Sequence, residues 1–84
     1  VTESNQSRRE IVARNITAAR ETAKLSKRRL AMRAGVDRRQ LLEWESGEHE
    51  PTAGNLIKLA PVLGQSLEWF YVNHDGDPPD DDDR

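Results

Sequence analysis

Apolar residues recur along this chain at helical intervals, and a capping side chain or a glycine punctuates each run. Val12, Ile16, Ala19 and Ala23 lie three or four positions apart and draw one stripe along a first helix. Ser7-Arg8-Arg9-Glu10 fits a capping box, so that helix is expected to begin at Arg8. Ser26 caps a second helix that turns Leu30 and Ala31 inward and stops at Gly35. Asp37 caps a third, with Leu41 and Trp44 inward and Gly47 at its end. Pro51-Thr52 leads into a fourth, bearing Leu56, Leu59, Ala60 and Leu63 and closed by Gly64. Pro61 removes a backbone donor there and is expected to bend the last turn. Ser66 caps a short fifth helix, from Leu67 to about Val72. Caps and periodicity agree, which is stronger than either signal alone.

The expected fold is therefore all-α, a compact five-helix bundle. Its core takes in Ile16, Leu30, Leu41, Trp44, Leu59, Leu63 and Phe70. Residues 1–7 are polar and expected to be flexible, and residues 8–73 form the helical domain. Residues 74–84 have no apolar side chain to bury and read as a disordered acidic tail. Eighty-four residues amount to one small domain.

Charge sharpens this picture. The net charge of −2 hides a segregation. Residues 8–39 carry eleven Lys/Arg against three acids, residues 40–72 carry Lys58 against five glutamates, and residues 73–84 carry six aspartates against Arg84. Such a split marks a basic footprint on one part of the molecule. The tail's aspartates are expected to compete with a polyanion for that footprint.

Several classes of chemistry find no support. The chain has no cysteine, so disulfides, thiolate metal sites and a Cys nucleophile are excluded. His49 and His74 fall in expected loops with no matched partner, and the aspartate run lacks the spacing of a calcium loop. No Gly-rich phosphate loop, signal peptide or membrane-length apolar run is visible. The expectation is a non-enzymatic, cofactor-free protein acting in the cytoplasm and not at a membrane.

The chemistry lies instead between Leu25 and Gly47. Two short helices meet at the Gly35 turn, and the second opens with Arg38 and Arg39. A helix in that position fits a DNA major groove, where an arginine fork can meet guanine O6 and N7.

From about Val12 to Tyr71 the chain resembles the Cro/phage-repressor (Xre-type) helix-turn-helix family of bacterial and phage DNA-binding proteins. The resemblance rests on Leu25-Ser26, Leu30-Ala31, Gly35-Val36, Leu41, Trp44-Glu45, Gly47, Pro51, Leu56, Leu59-Ala60, Leu63-Gly64 and Leu67-Glu68-Trp69-Phe70, with every spacing intact. It implies a lambda-repressor-like fold and a transcriptional regulator of the repressor type, bound to double-stranded operator DNA. By the same resemblance, Arg20 pairs with Glu45 to tie the first helix to the reading helix. Phosphate contacts fall to Ser26, Lys27, Arg28 and Ser46, and base contacts to Arg38, Arg39, Gln40, Leu42 and Glu43. Glu43 reads as an acceptor for a cytosine amino group or, favoured here, as a partner orienting Arg39. Leu42 reads as a contact for a thymine methyl or as packing within the domain. Relatives bind as dimers, and Trp69 or Tyr71 is the candidate subunit contact. Glu48-His49-Glu50 departs from the basic residues usual after the Gly47 position. That departure sustains a rival reading on the same fold, an antitoxin or protein-interaction module with DNA binding secondary.

Overall fold

The structure, a computed structural model, describes the backbone of residues 3–74 and the side chains of residues 8–74. The expected acidic tail from Asp75 onward lies outside the described residues. Four α-helices follow one another, α1 (Glu3–Thr22), α2 (Lys27–Ala34), α3 (Arg38–Ser46) and α4 (Ala53–Leu63), and a single 3₁₀ turn spans Glu68–Tyr71. α1 packs on α3 and on the 3₁₀ turn, while α2 packs on α3 and α4. No helix among the described residues is long and apolar enough to cross a membrane.

Two expectations about the helices need correction. α1 begins at Glu3 and runs through the Ser7 capping signal rather than starting at Arg8. Residues 3–9 hold no Gly or Pro, and a serine inside a helix costs only a few tenths of a kcal/mol, so continuation wins over the cap. The fifth helix is not a full α-helix but four residues of 3₁₀ geometry, giving four helices rather than five. Ser66 Oγ does accept from the Trp69 amide (3.3 Å), yet Asn15 intercepts the carbonyls beyond it. The Asn15 Nδ2 group donates to the carbonyls of Trp69 (3.3 Å), Phe70 (2.8 Å) and Val72 (2.9 Å). The Phe70 and Val72 carbonyls are satisfied by α1 instead of by further helical turns, while the Trp69 carbonyl also accepts from the Val72 amide, and the C-terminal segment is latched onto the bundle.

The core forms where the apolar stripes converge. Val12, Ile16, Leu30, Leu41, Leu56, Leu59 and Phe70 are fully buried, and Trp44 and Leu63 nearly so. Ala23 is the exception in the expected stripe, because α1 stops at Thr22 and leaves it exposed. Leu67 and Trp69 pack partly against the core, Trp69 meeting Phe70 edge-on with ring centroids 5.2 Å apart. α4 continues through Pro61 to Leu63, with Pro61 on the solvent side, where its missing N–H does least harm.

Each α-helix ends in the same hydrogen-bond pattern, an amide reaching back five residues. Leu25 donates to the Arg20 carbonyl, Val36 to Ala31, Glu48 to Glu43 and Gln65 to Ala60. This ending needs a left-handed residue just before the donor. Gly35, Gly47 and Gly64 supply it for α2, α3 and α4, but α1 uses Lys24, at φ 60°. A side chain in that conformation costs roughly 1 kcal/mol. Lys24→Gly is therefore expected to raise stability by up to about 1 kcal/mol, less the entropy that glycine gains when unfolded. Thermal unfolding of the two proteins checks this.

Candidate nucleic-acid interface

α2 and α3 are set at their N-termini by side-chain caps and joined by a tight glycine turn. Ser26 Oγ accepts from the Arg29 amide at 3.0 Å, and Asp37 Oδ1 accepts from the Arg39 amide at 2.8 Å. Gly35 closes α2 at φ 73°, a left-handed conformation in which a side chain is strained. The connection to α3 is thereby short and fixed.

The outer face of α3 is open at its N-terminal end. Arg38, Arg39 and Gln40 are exposed, Leu42 is 39% exposed, and Asp37, Arg38, Arg39 and Leu42 border an open hollow. Arg38 and Leu42 are four residues apart and share a face with Arg39 beside them. Neither guanidinium enters an ion pair among the described residues. At the start of α2, Lys27 and Arg28 are likewise exposed and without a salt bridge there. Ser26 accepts a hydrogen bond in its capping role, which leaves the hydroxyl hydrogen to donate outward.

The inner face of α3 is held firmly. Leu41 and Trp44 enter the core, and the Glu45 side chain is only 4% exposed. Its carboxylate receives Arg20 Nε at 2.7 Å, Arg20 Nη2 at 3.1 Å and Thr17 Oγ1 at 3.0 Å. Arg20 Nη1 also donates to the Leu25 carbonyl at 2.8 Å. One side chain of α1 thus joins the end of α3 to the loop that leads into α2. Such two-pronged, charge-assisted pairing fixes direction as well as distance.

Other site residues sit differently from their expected roles. Glu43 is half-buried and lies 4.0 Å from His49 Nδ1, and among the described residues no ion pair joins it to Arg39. The Gly47 turn folds His49 back over α3, which the sequence did not announce. Ser46 is exposed, but its hydroxyl donates to the Glu43 carbonyl (3.0 Å) and accepts from the Glu48 amide (3.3 Å). A phosphate there would have to displace one of those bonds. Glu50 is drawn to Arg8 on α1, with Nε at 3.1 and 3.2 Å from its two oxygens. Part of the acidic turn after α3 is therefore neutralised within the domain. His74, expected to lack a partner, bonds the Trp69 carbonyl (3.0 Å) and stacks on its ring at 4.5 Å. Thr17, Asn15 and Arg8 carry structural roles that sequence reasoning missed. Only Asn15 gave a signal, as a polar residue beside Ile16 in the apolar stripe.

A short capped helix, a glycine turn and a second helix braced from behind define a class of domain. A family model described as helix-turn-helix matches residues 16–70, well over half of the chain, and the chain belongs to that family. Among similar proteins, an uncharacterized HTH-type transcriptional regulator of Mycobacterium tuberculosis H37Rv is 42% identical over 57 residues, covering 68% of this chain and 41% of the relative. Its counterpart in strain CDC 1551 / Oshkosh matches to the same extent. An uncharacterized HTH-type transcriptional regulator of Haemophilus influenzae is 41% identical over 40 residues, 48% of this chain and 17% of the relative. The chain spans less than half the length of these curated relatives. No solved structure matches the chain significantly.

Proposed function

We propose that this chain is a DNA-binding domain that regulates transcription by reading a double-stranded operator, acting as a repressor. Membership in the helix-turn-helix family and the names of its relatives support a regulator and a binding domain rather than an enzyme. The observation that carries the reading is the state of Arg38 and Arg39. Both stand exposed at the mouth of a capped helix, unclaimed by internal ion pairs among the described residues, while Glu45 anchors the same helix from the opposite side.

In this reading α3 enters the major groove, and Arg38 and Arg39 bond base edges, with Gln40, Leu42 and Glu43 beside them. An arginine bonded to guanine O6 and N7 discriminates by about 1–3 kcal/mol. Lys27 and Arg28 neutralise phosphates, and Ser26 donates from the α2 terminus, where backbone amides also favour an anion. Ser46 serves as a weaker, donor-limited contact, because its one O–H is donated to the Glu43 carbonyl. Two copies bind adjacent half-sites. Their contact falls to Tyr71, exposed beside exposed Val72, more readily than to Trp69, which its own chain already covers.

Lys27→Ala tests the phosphate assignment. It is expected to weaken every duplex alike and to reduce the slope of log affinity against log salt by about one. Fluorescence anisotropy on one duplex over a salt series reads both. An unchanged slope removes Lys27 from the interface. A protein-interaction module would form no specific complex with any selected duplex at physiological salt.

A further inference from the structure

Away from the α2–α3 face, the C-terminal half of α1, the end of α4 and the 3₁₀ turn enclose a cleft of about 310 Å³. That volume is at the lower end of small-molecule sites. Ala18, Ala19, Ala23 and Leu63 give it apolar walls, and Trp69, with His74 stacked on its ring, forms an aromatic side. None of residues 26–46 lines it, so it is separate from the proposed DNA face.

Asn15 also lines this cleft and is only 4% exposed. Its Nδ2 group is engaged by the three carbonyls of the C-terminal segment, which fixes the amide orientation. Its Oδ1 atom then receives no hydrogen bond among the described residues. A buried amide oxygen without a donor among the described residues is uncommon and leaves an acceptor open to an occupant.

We infer that this cleft binds a small, neutral, planar aromatic molecule bearing one N–H or O–H donor. The alanines leave room for a flat ring, the stacked Trp69–His74 pair offers an aromatic contact, and Asn15 Oδ1 accepts the donor. A charged ligand is disfavoured, because no Lys, Arg, Asp or Glu is among the described lining residues and His74 is engaged by the Trp69 carbonyl. Occupancy requires no DNA, so the inference stands apart from the proposed operator binding.

Indole is the probe, titrated into the ¹⁵N-labelled full chain. Saturable shifts are expected at Ala18, Ala23 and Trp69, half-complete below about 1 mM, with the amides of α3 little moved. N-methylindole, which has no donor, should bind roughly five- to tenfold more weakly. Ala18→Leu fills the cleft from an exposed helical position. It is expected to weaken indole at least about tenfold while leaving duplex affinity unchanged. Three results would each overturn the inference. Shifts could stay linear in indole, the N-methylated probe could bind equally well, or the same residues could shift on dilution of the protein alone, marking a surface between copies.

Discussion

Glu45→Ala is expected to destabilise the domain by about 3–5 kcal/mol, the range for removing one partner of a buried ion pair. The lost carboxylate accepts three hydrogen bonds from α1 and is almost fully enclosed. Its removal leaves the Arg20 guanidinium, 11% exposed, with only the Leu25 carbonyl as a described partner. A domain of this size has about 5–15 kcal/mol of stability in all, so the loss is a large share of it. At about 4–8 °C per kcal/mol, the melting temperature should fall by more than 10 °C. Thr17→Ala, which removes one of the three bonds, should cost only about 1 kcal/mol. Adding Arg20→Ala to Glu45→Ala should cost little more, because the orphaned charge goes with it. Thermal and urea unfolding of the parent, the Arg20→Ala and Glu45→Ala single variants and their double variant measure the coupling, with Thr17→Ala beside them. If Glu45→Ala unfolds like the parent, the pair does not hold α3.

Arg38→Ala and Arg39→Ala should do the opposite, sparing the fold and altering recognition. Both side chains are exposed and unpaired among the described residues, so stability should change by no more than about 0.5 kcal/mol. Each variant should instead lose about 1–3 kcal/mol of discrimination at one base position, roughly five- to 150-fold. The two positions should differ, since adjacent residues on a helix point about 100° apart. Competition binding against duplexes changed one base pair at a time gives the profile. Equal weakening at every position would make these arginines phosphate contacts.

The fold was legible because its signals are local and repeated. Ser26, Asp37, Gly35, Gly47 and Gly64 do at their positions what caps and left-handed residues do in any helix. Apolar spacing between capped ends places Ile16, Leu30, Leu41 and Leu59 in the core, where the structure buries them. The C-terminal segment misled because its geometry depends on Asn15, more than fifty residues away, and no local pattern reports that bond. Ser7 misled for a different reason, since a cap signal competes with helix continuation and nothing in residues 3–9 interrupts the helix. At the site, resemblance supplied the Arg20–Glu45 pair, and the structure brings those residues to 2.7 Å. Spacing favours Glu43 as the partner orienting Arg39 over an acceptor for a cytosine amino group. The Gly47 turn returned His49 to it instead, a tertiary event that spacing does not encode.

Sites selected from random duplexes at physiological salt, with parent protein and with Arg38→Ala/Arg39→Ala in parallel, probe the paired arginines without intermediaries. The parent should enrich a motif with fixed guanines and bind it at least about 10³-fold more tightly than random DNA. The double variant should lose those guanines while remaining folded. An identical motif from both proteins, or none from the parent, would show that these arginines do not read the DNA.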